Sequence, residues 1–240
     1  MERSISVDQV SKSFGKKKVL ERIDLQVQRG EIHGLIGPSG AGKTTLVKLL
    51  VGMDIADKGT VHVLGKRMPD LDLLQSIGYM AQADALYAEL TGLENLQFFA
   101  SLFKLSKAQQ KERIAYTADL VKLANELGKK VAAYSGGMRR RLSLAIALIQ
   151  DPQILILDEP TVGIDPELRL SIWNELLRLK REAGKTILVT THVMDEAERC
   201  DRLAMVRDGR ILTSGSPREL MTDYQVSGLE EVFLKVGGAR

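Results

Sequence analysis

Apolar and polar residues alternate at Ile23, Leu25 and Val27, a period of two that predicts a half-buried strand. Ile32 to Ile36 is a second apolar segment, ending at Gly37. A helix is expected from Lys43 to Val51, with Gly52 as its C′ residue. Val61 and Val63 predict another short strand. The middle of the chain changes period. Thr91 and Glu94 have capping-box spacing ahead of Leu96, Phe98, Phe99 and Leu102, and Ser106 and Gln109 repeat the signal. Arg139 to Ile149 is rich in helix formers and is closed by Asp151-Pro152. The last third alternates again. Ile154 to Leu157 is a continuous apolar run, as in a parallel strand covered on both faces. Leu168 to Lys180 has apolar residues at helical spacing, and Thr186 to Thr190 is rich in β-formers. Leu203 to Val206, Asp208-Gly209 and Ile211 to Thr213 predict a hairpin whose turn needs positive φ. Ser216, Pro217 and Glu219 occupy the N-cap, N1 and N3 positions of one more helix. No repeat or low-complexity tract interrupts this order, which fits an α/β core with a helical insertion.

Composition narrows the class. Hydrophobic residues make up 44% and charged residues 27%, with 6 Pro in 240 positions, which excludes collagen-like, mucin-like and intrinsically disordered chains. A net charge of +3 is too small to argue for nucleic acid. The basic clusters Lys16 to Lys18, Lys129-Lys130 and Arg139 to Arg141 are expected to be solvated faces. One cysteine, Cys200, allows no disulfide within the chain. Met1 to Ser4 begins no apolar signal segment, and no 18-residue apolar run exists; Leu142 to Ile149 is interrupted by Ser143. The chain is therefore expected to be soluble by itself, with any membrane role reached through a partner.

Gly37-Pro38-Ser39-Gly40-Ala41-Gly42-Lys43-Thr44 fits G-x-x-x-x-G-K-[ST], a pattern expected about 0.01 times by chance in such a chain. Glycines let the loop turn successive backbone N–H groups inward as an anion nest. The following helix adds its positive dipole end. Lys43 is suited to the β- and γ-phosphates, and the Thr44 hydroxyl to Mg²⁺. Thr45 stands where a dinucleotide fingerprint would need its third glycine, so that fold is disfavoured.

The run Ile154 to Leu157 leads directly into Asp158-Glu159, and the run from Thr186 into Thr191-His192. Ligands of open α/β sheets bind outside the carboxyl ends of strands. Asp158 suits the shell of a metal that accompanies a triphosphate, and Glu159 suits the base that activates an attacking water. The plain alternative is an acidic turn before Pro160. His33 and His62 are expected to be structural, and His192 is the candidate functional histidine. Ser135 would cap the helix that follows it, but capping alone does not need Gly136 and Gly137. Two glycines there would permit close backbone approach and a second anion site.

Together these segments resemble an ATP-binding-cassette (ABC) ATPase, from about Ser4 to Leu220. The resemblance rests on the loop at 37–44, Ser135-Gly136-Gly137, Leu157-Asp158-Glu159-Pro160 and His192. It implies a RecA-like phosphate-loop NTPase core with an antiparallel β subdomain and an α-helical insertion. Within a single domain over 1–240, the core would be 1–82 and 151–220, the helical subdomain 83–150 and the C-terminal tail 221–240. It implies ATP and Mg²⁺ as cofactors, with residues 37–45 around the phosphates and Phe14 stacked on adenine. Gln82 would touch Mg²⁺ and sense the γ-phosphate, Asp158 would join the metal shell, and Glu159 and His192 would serve hydrolysis. Ser135, Gly136 and Gly137 would bind the nucleotide of an opposite subunit, and Asp165 would lie in the loop crossing that interface. Tyr134 and Met138 depart from the commonest signature, L-S-G-G-Q, while the Ser and both glycines remain. The form Tyr-Ser-Gly-Gly-Met-Arg-Arg-Arg-Leu is similar to prokaryotic drug- and polysaccharide-export cassettes, as are Thr161 to Pro166 and Leu229 to Leu234.

The resemblance implies an exporter's ATPase subunit, pairing as a homodimer or with a close paralogue. It would bind an integral membrane permease at the cytoplasmic face of the membrane, and no nucleic acid is expected. The alternative within the family is a non-transport ATPase acting on nucleic acid or ribosomes. A GTPase switch would need an N-K-x-D segment, which is absent from the sequence.

Overall fold

The computed structural model describes residues 2–83 and 85–238. In chain order the elements are β1 (Arg3–Phe14), β2 (Lys17–Gln28), β3 (Ile32–Ile36), α1 (Lys43–Leu50), β4 (Lys58–Val63), β5 (Lys66–Arg67), β6 (Ile77–Met80), α2 (Gly92–Ser101), α3 (Lys107–Leu120) and α4 (Gly136–Ala147). There follow β7 (Ile154–Asp158), α5 (Pro166–Ala183), β8 (Thr186–Thr191), α6 (Met194–Ala197), β9 (Arg202–Arg207), β10 (Arg210–Gly215), α7 (Pro217–Asp223) and α8 (Leu229–Val236). The chain forms two compact units, Met1–Leu71 with Thr186–Arg240, and Asp72–Lys185.

The first unit holds an antiparallel sheet in the order β2-β1-β4-β5. Leu20, Ile23, Leu25 and Val27 of β2 are buried, yet Leu20 and Ile23 are three residues apart. The break is a bulge, where the register passes from Lys12↔Leu20 to Val10↔Ile23 and Arg22 takes φ 49°. A matching irregularity in β1, with Gln9 at φ 51°, separates buried Val7 from buried Val10. In the same unit β3 is buried along its whole length, parallel to β8 on one side and β9 on the other. That two-sided burial explains its unbroken apolar run. The β9–β10 hairpin turns through Asp208 at φ 49° and Gly209 at φ 72°, the double positive φ of a tight hairpin turn. A Cβ on Gly209 would lie 2.3 Å from the Val19 carbonyl oxygen, so this turn packs against β2 as closely as backbone allows. The segment 221–240 reads as a tail in sequence order alone; here Leu229 and Val232 are buried on α8.

The second unit carries β6 and β7 as a parallel pair, Ile77↔Ile154 to Met80↔Leu157. Both expected capping boxes form, at Thr91 with Glu94 and at Ser106 with Gln109. Helix α4 begins at Gly136 with Ser135 as its expected N-cap, the Ser135 hydroxyl accepting the Met138 N–H at 3.2 Å. Asp165 caps α5 by accepting the Leu168 N–H at 3.0 Å, and Gly184 at φ 61° ends it. Among the described residues no helix is long and apolar enough to cross a membrane.

Candidate functional site

The phosphate-loop motif in the first unit lies between β3 and α1, as its sequence requires. Two of its glycines are fixed by crowding. A Cβ on Gly37 would stand 2.1 Å from the Val206 carbonyl oxygen, and one on Gly42 would stand 2.9 Å from the Val19 carbonyl oxygen. The hairpin turn supports the loop from below, since the Gly209 N–H donates to the Ala41 carbonyl at 3.0 Å. Gly40, by contrast, has φ 81° and nothing within 4 Å of a would-be Cβ. Pro38, Ser39 and Gly40 are exposed, while Thr44 and Thr45 are half-buried. The Lys43 side chain is only 6% exposed. Its ammonium donates to the Gly37 carbonyl at 2.6 Å and the Pro38 carbonyl at 3.1 Å. The loop is thus closed by backbone on the β side, open at its crown, and provided with a buried cation.

Phe14 ends β1 with 52% of its surface exposed, leaving a ring available for stacking. His192 is exposed in the turn after β8. That turn is fixed by the Thr191 hydroxyl, which donates to Glu196 at 2.8 Å and accepts the Val193 N–H at 3.0 Å. His33 is buried, with Nδ1 3.1 Å from a Glu31 carboxylate oxygen, and so has the structural place expected of it.

In the second unit the carboxyl ends of β6 and β7 bring three candidate groups together. Asp158 is 1% exposed at the end of β7, and Glu159 follows it half-buried. Glu159 has φ 53°, a left-handed conformation that costs an ordinary residue roughly 1–2 kcal/mol. Its carboxylate accepts a hydrogen bond from the Gln82 side-chain amide at 3.4 Å. Burial pushes the Tyr79 hydroxyl above its usual pKa; the Asp158 carboxylate adds to the shift and the Arg140 charge opposes it.

Ser135 and Gly136 are exposed at the start of α4. Nothing lies within 4 Å of a Cβ built on Gly136, whereas one on Gly137 would approach the Gly163 carbonyl oxygen to 3.2 Å. No contact among the described residues therefore requires Gly136 to be small. Tyr134 is accommodated by a different glycine. Its hydroxyl donates to the Glu126 carbonyl at 2.8 Å, and a Cβ on Gly92 would lie 2.2 Å from it.

The arginine triplet overturns the expectation of a solvated face. Arg139 donates to the Tyr134 carbonyl at 2.8 Å, and Arg141 to the carbonyls of Val121 and Lys122 at 3.2 and 3.1 Å. Arg140 is 6% exposed. One terminal nitrogen donates to the Ala81 and Gln82 carbonyls at 2.6 and 3.0 Å. The other donates to the Asp158 carbonyl and, at 2.6 Å, to the Glu159 carbonyl. A signal is present in the sequence, since Arg140 shares the i, i+4, i+7 stripe of buried Leu144 and Ala147.

The residues fit a nucleoside triphosphate with Mg²⁺. The Gly-rich loop with its buried Lys43 ammonium has the chemistry to hold a polyphosphate, and in their separate units the Thr44 hydroxyl and the Asp158 carboxylate are each of the oxygen class that Mg²⁺ takes.

The sequence matches the ABC transporter family over residues 20–162. It is 44% identical to the Nod factor export ATP-binding protein I of Rhizobium sp. (strain N33), over 96% of this chain and 76% of that protein. It is 40% identical to ABC transporter G family member 23 of Dictyostelium discoideum, over 97% of this chain but only 33% of that longer protein. The fold superimposes with a TM-score of 0.90 on the ATP binding subunit of an ABC transporter, at 28% identity over 98% of this chain and 99% of that one. A dimeric ATP-binding cassette in a post-hydrolysis state, bound to ADP and Pi, matches with a TM-score of 0.81 at 26% identity, over 88% of this chain and 98% of that one. The chain belongs to the ABC transporter family and is an ATPase cassette of that family.

Proposed function

We propose that this cassette powers a membrane exporter, working in pairs around two MgATP and driving a separate permease from the cytoplasmic face of the membrane. The observation that carries the reading is the phosphate loop, closed by β-strand backbone, open at Gly40 and holding the buried ammonium of Lys43. The 96% coverage by an export ATP-binding protein supports export, and the dimeric cassette bound to ADP and Pi supports pairing. The proposed organisation is one cassette domain over 1–240, with the core at 1–82 and 151–220, the helical subdomain at 83–150 and the tail at 221–240.

The roles follow from the chemistry of the groups. Backbone N–H groups of residues 37–45 hold the phosphates, and Lys43 neutralises charge on the β- and γ-positions. Thr44, Gln82 and Asp158 would hold Mg²⁺, which would supply charge neutralisation to the phosphates. Glu159 takes a proton from the attacking water, with Gln82 orienting it, and His192 contacts the γ-phosphate. Ser135, Gly136 and Gly137 present the start of α4 to the nucleotide held by the opposite subunit, for which the open space at Gly136 leaves room. Asp165, already engaged as the cap of α5, shapes the loop at that interface. Because equal affinity for two states shifts nothing, the cycle works only if the paired state binds ATP more tightly than ADP.

Phe14 stacks on the adenine. Phe14→Ala is expected to weaken ATP binding by about 1 kcal/mol or more, read by calorimetry. An unchanged dissociation constant would remove the base platform from the mechanism.

The transport reading is tested by purifying the tagged chain from its native cells in mild detergent and identifying what co-elutes. A multi-spanning membrane protein is the expected partner. Recovery only in the soluble fraction, with ribosomes or nucleic acid attached, would leave the ATPase and overturn the exporter.

A further inference from the structure

We propose that Arg140 is a positioning residue for hydrolysis, holding the Gln82–Glu159 pair in place from the helix that carries the Ser-Gly-Gly segment. The inference rests on the proposed roles of Gln82 and Glu159. Its basis is the division of the guanidinium between two strand ends. One terminal nitrogen takes the carbonyls that follow β6, at Ala81 and Gln82, and the other takes those at the end of β7, at Asp158 and Glu159. These four bonds use every hydrogen on the two terminal nitrogens. A cation that is 6% exposed is tolerated only with such pairing.

The consequence falls on Glu159. Its left-handed backbone at φ 53° persists only where the surroundings over-determine it. Arg140 grips the carbonyl on each side of that φ, those of Asp158 and Glu159. The same guanidinium fixes the backbone of Gln82, whose side-chain amide reaches Glu159 at 3.4 Å. Arg140 therefore sets both members of the pair through their backbone carbonyls. Lysine cannot replace it, since a single ammonium is a point donor and lacks the planar fork that spans two strand ends.

Arg140→Lys keeps the buried charge and most of the volume, and is the variant to make. We expect its kcat to fall by about tenfold or more, while the dissociation constant for a fluorescent ATP analogue stays within about threefold. The decisive measurement is a double-mutant cycle with Glu159→Gln under single-turnover conditions. If Arg140 acts through Glu159, adding Arg140→Lys to Glu159→Gln lowers the rate by no more than about twofold. Full multiplication of the two factors overturns the proposal. So does a kcat within twofold of wild type, or a loss confined to nucleotide affinity. A wild-type chain without ATPase activity would overturn the underlying roles as well, so an active wild type separates the two failures. Should Arg140→Lys melt well below wild type and lose affinity and kcat together, Arg140 is a purely structural residue and the proposal falls.

Discussion

Glu159→Gln slows ATP hydrolysis by about 10²- to 10⁴-fold while ATP binding persists, the expected signature of a lost general base. The substitution is nearly isosteric, and the amide retains a carbonyl oxygen able to accept from Gln82 Nε2, as the carboxylate does at 3.4 Å. What it lacks is the basic oxygen that receives the proton of water. The left-handed backbone at φ 53° is no harder for Gln than for Glu, so the fold is expected to be unchanged. In the proposed site ATP is held by residues 37–45, which the substitution leaves intact. The variant is expected to bind ATP at wild-type affinity and, under the proposed pairing around two MgATP, to elute as a dimer with MgATP where the wild type does not. Full turnover in single-turnover assays would sink the general-base role, and loss of ATP binding would mean that Glu159 holds nucleotide.

The sequence pattern reads true wherever local chemistry and tertiary packing agree. The β9–β10 hairpin is legible because Asp208 and Gly209 are the residues a doubly positive turn demands. The capping boxes of α2 and α3 are legible because both partners lie within one turn. Strand β1 is not, since the bulge at Gln9 breaks the alternation between Val7 and Val10. Strand β6 is only four residues long, with Gly78 in it. That glycine is explained by tertiary crowding alone, since a Cβ there would meet the Ala147 carbonyl and the Pro152 and Leu155 side chains. The start of α4 is legible in Ser135, an N-cap residue whose hydroxyl reaches the Met138 N–H, although the two glycines that follow it are poor helix formers. The site divides in the same way. Lys43 and Glu159 declare themselves by motif, because their spacing along the chain is their chemistry. Arg140 does not, because a run of three arginines looks like surface until four carbonyls, 18 to 59 residues away in sequence, are folded around it.

Lys43→Met is expected to do the opposite of Glu159→Gln, removing binding and leaving the remaining catalytic groups untouched. The methionine keeps a long unbranched stem in a position only 6% exposed, so packing is preserved. The ligand-free chain loses the ammonium's hydrogen bonds to the Gly37 and Pro38 carbonyls. With Pro38 exposed, water can replace part of them, and the stability cost is about 1 kcal/mol, or roughly 2–4 °C in Tm. The nucleotide has no such substitute. Truncating one partner of a buried charge pair costs about 2–5 kcal/mol, so the Kd for ATP should rise by roughly 10²-fold or more. A hundredfold weaker Kd also removes about 2.7 kcal/mol of ligand stabilisation at saturating ATP. Thermal melts with and without ATP therefore test the prediction without any assay of turnover. An ATP-induced rise in Tm equal to that of wild type would mean that the ammonium resting on Gly37 and Pro38 is a structural plug of the loop and makes no contact with phosphate.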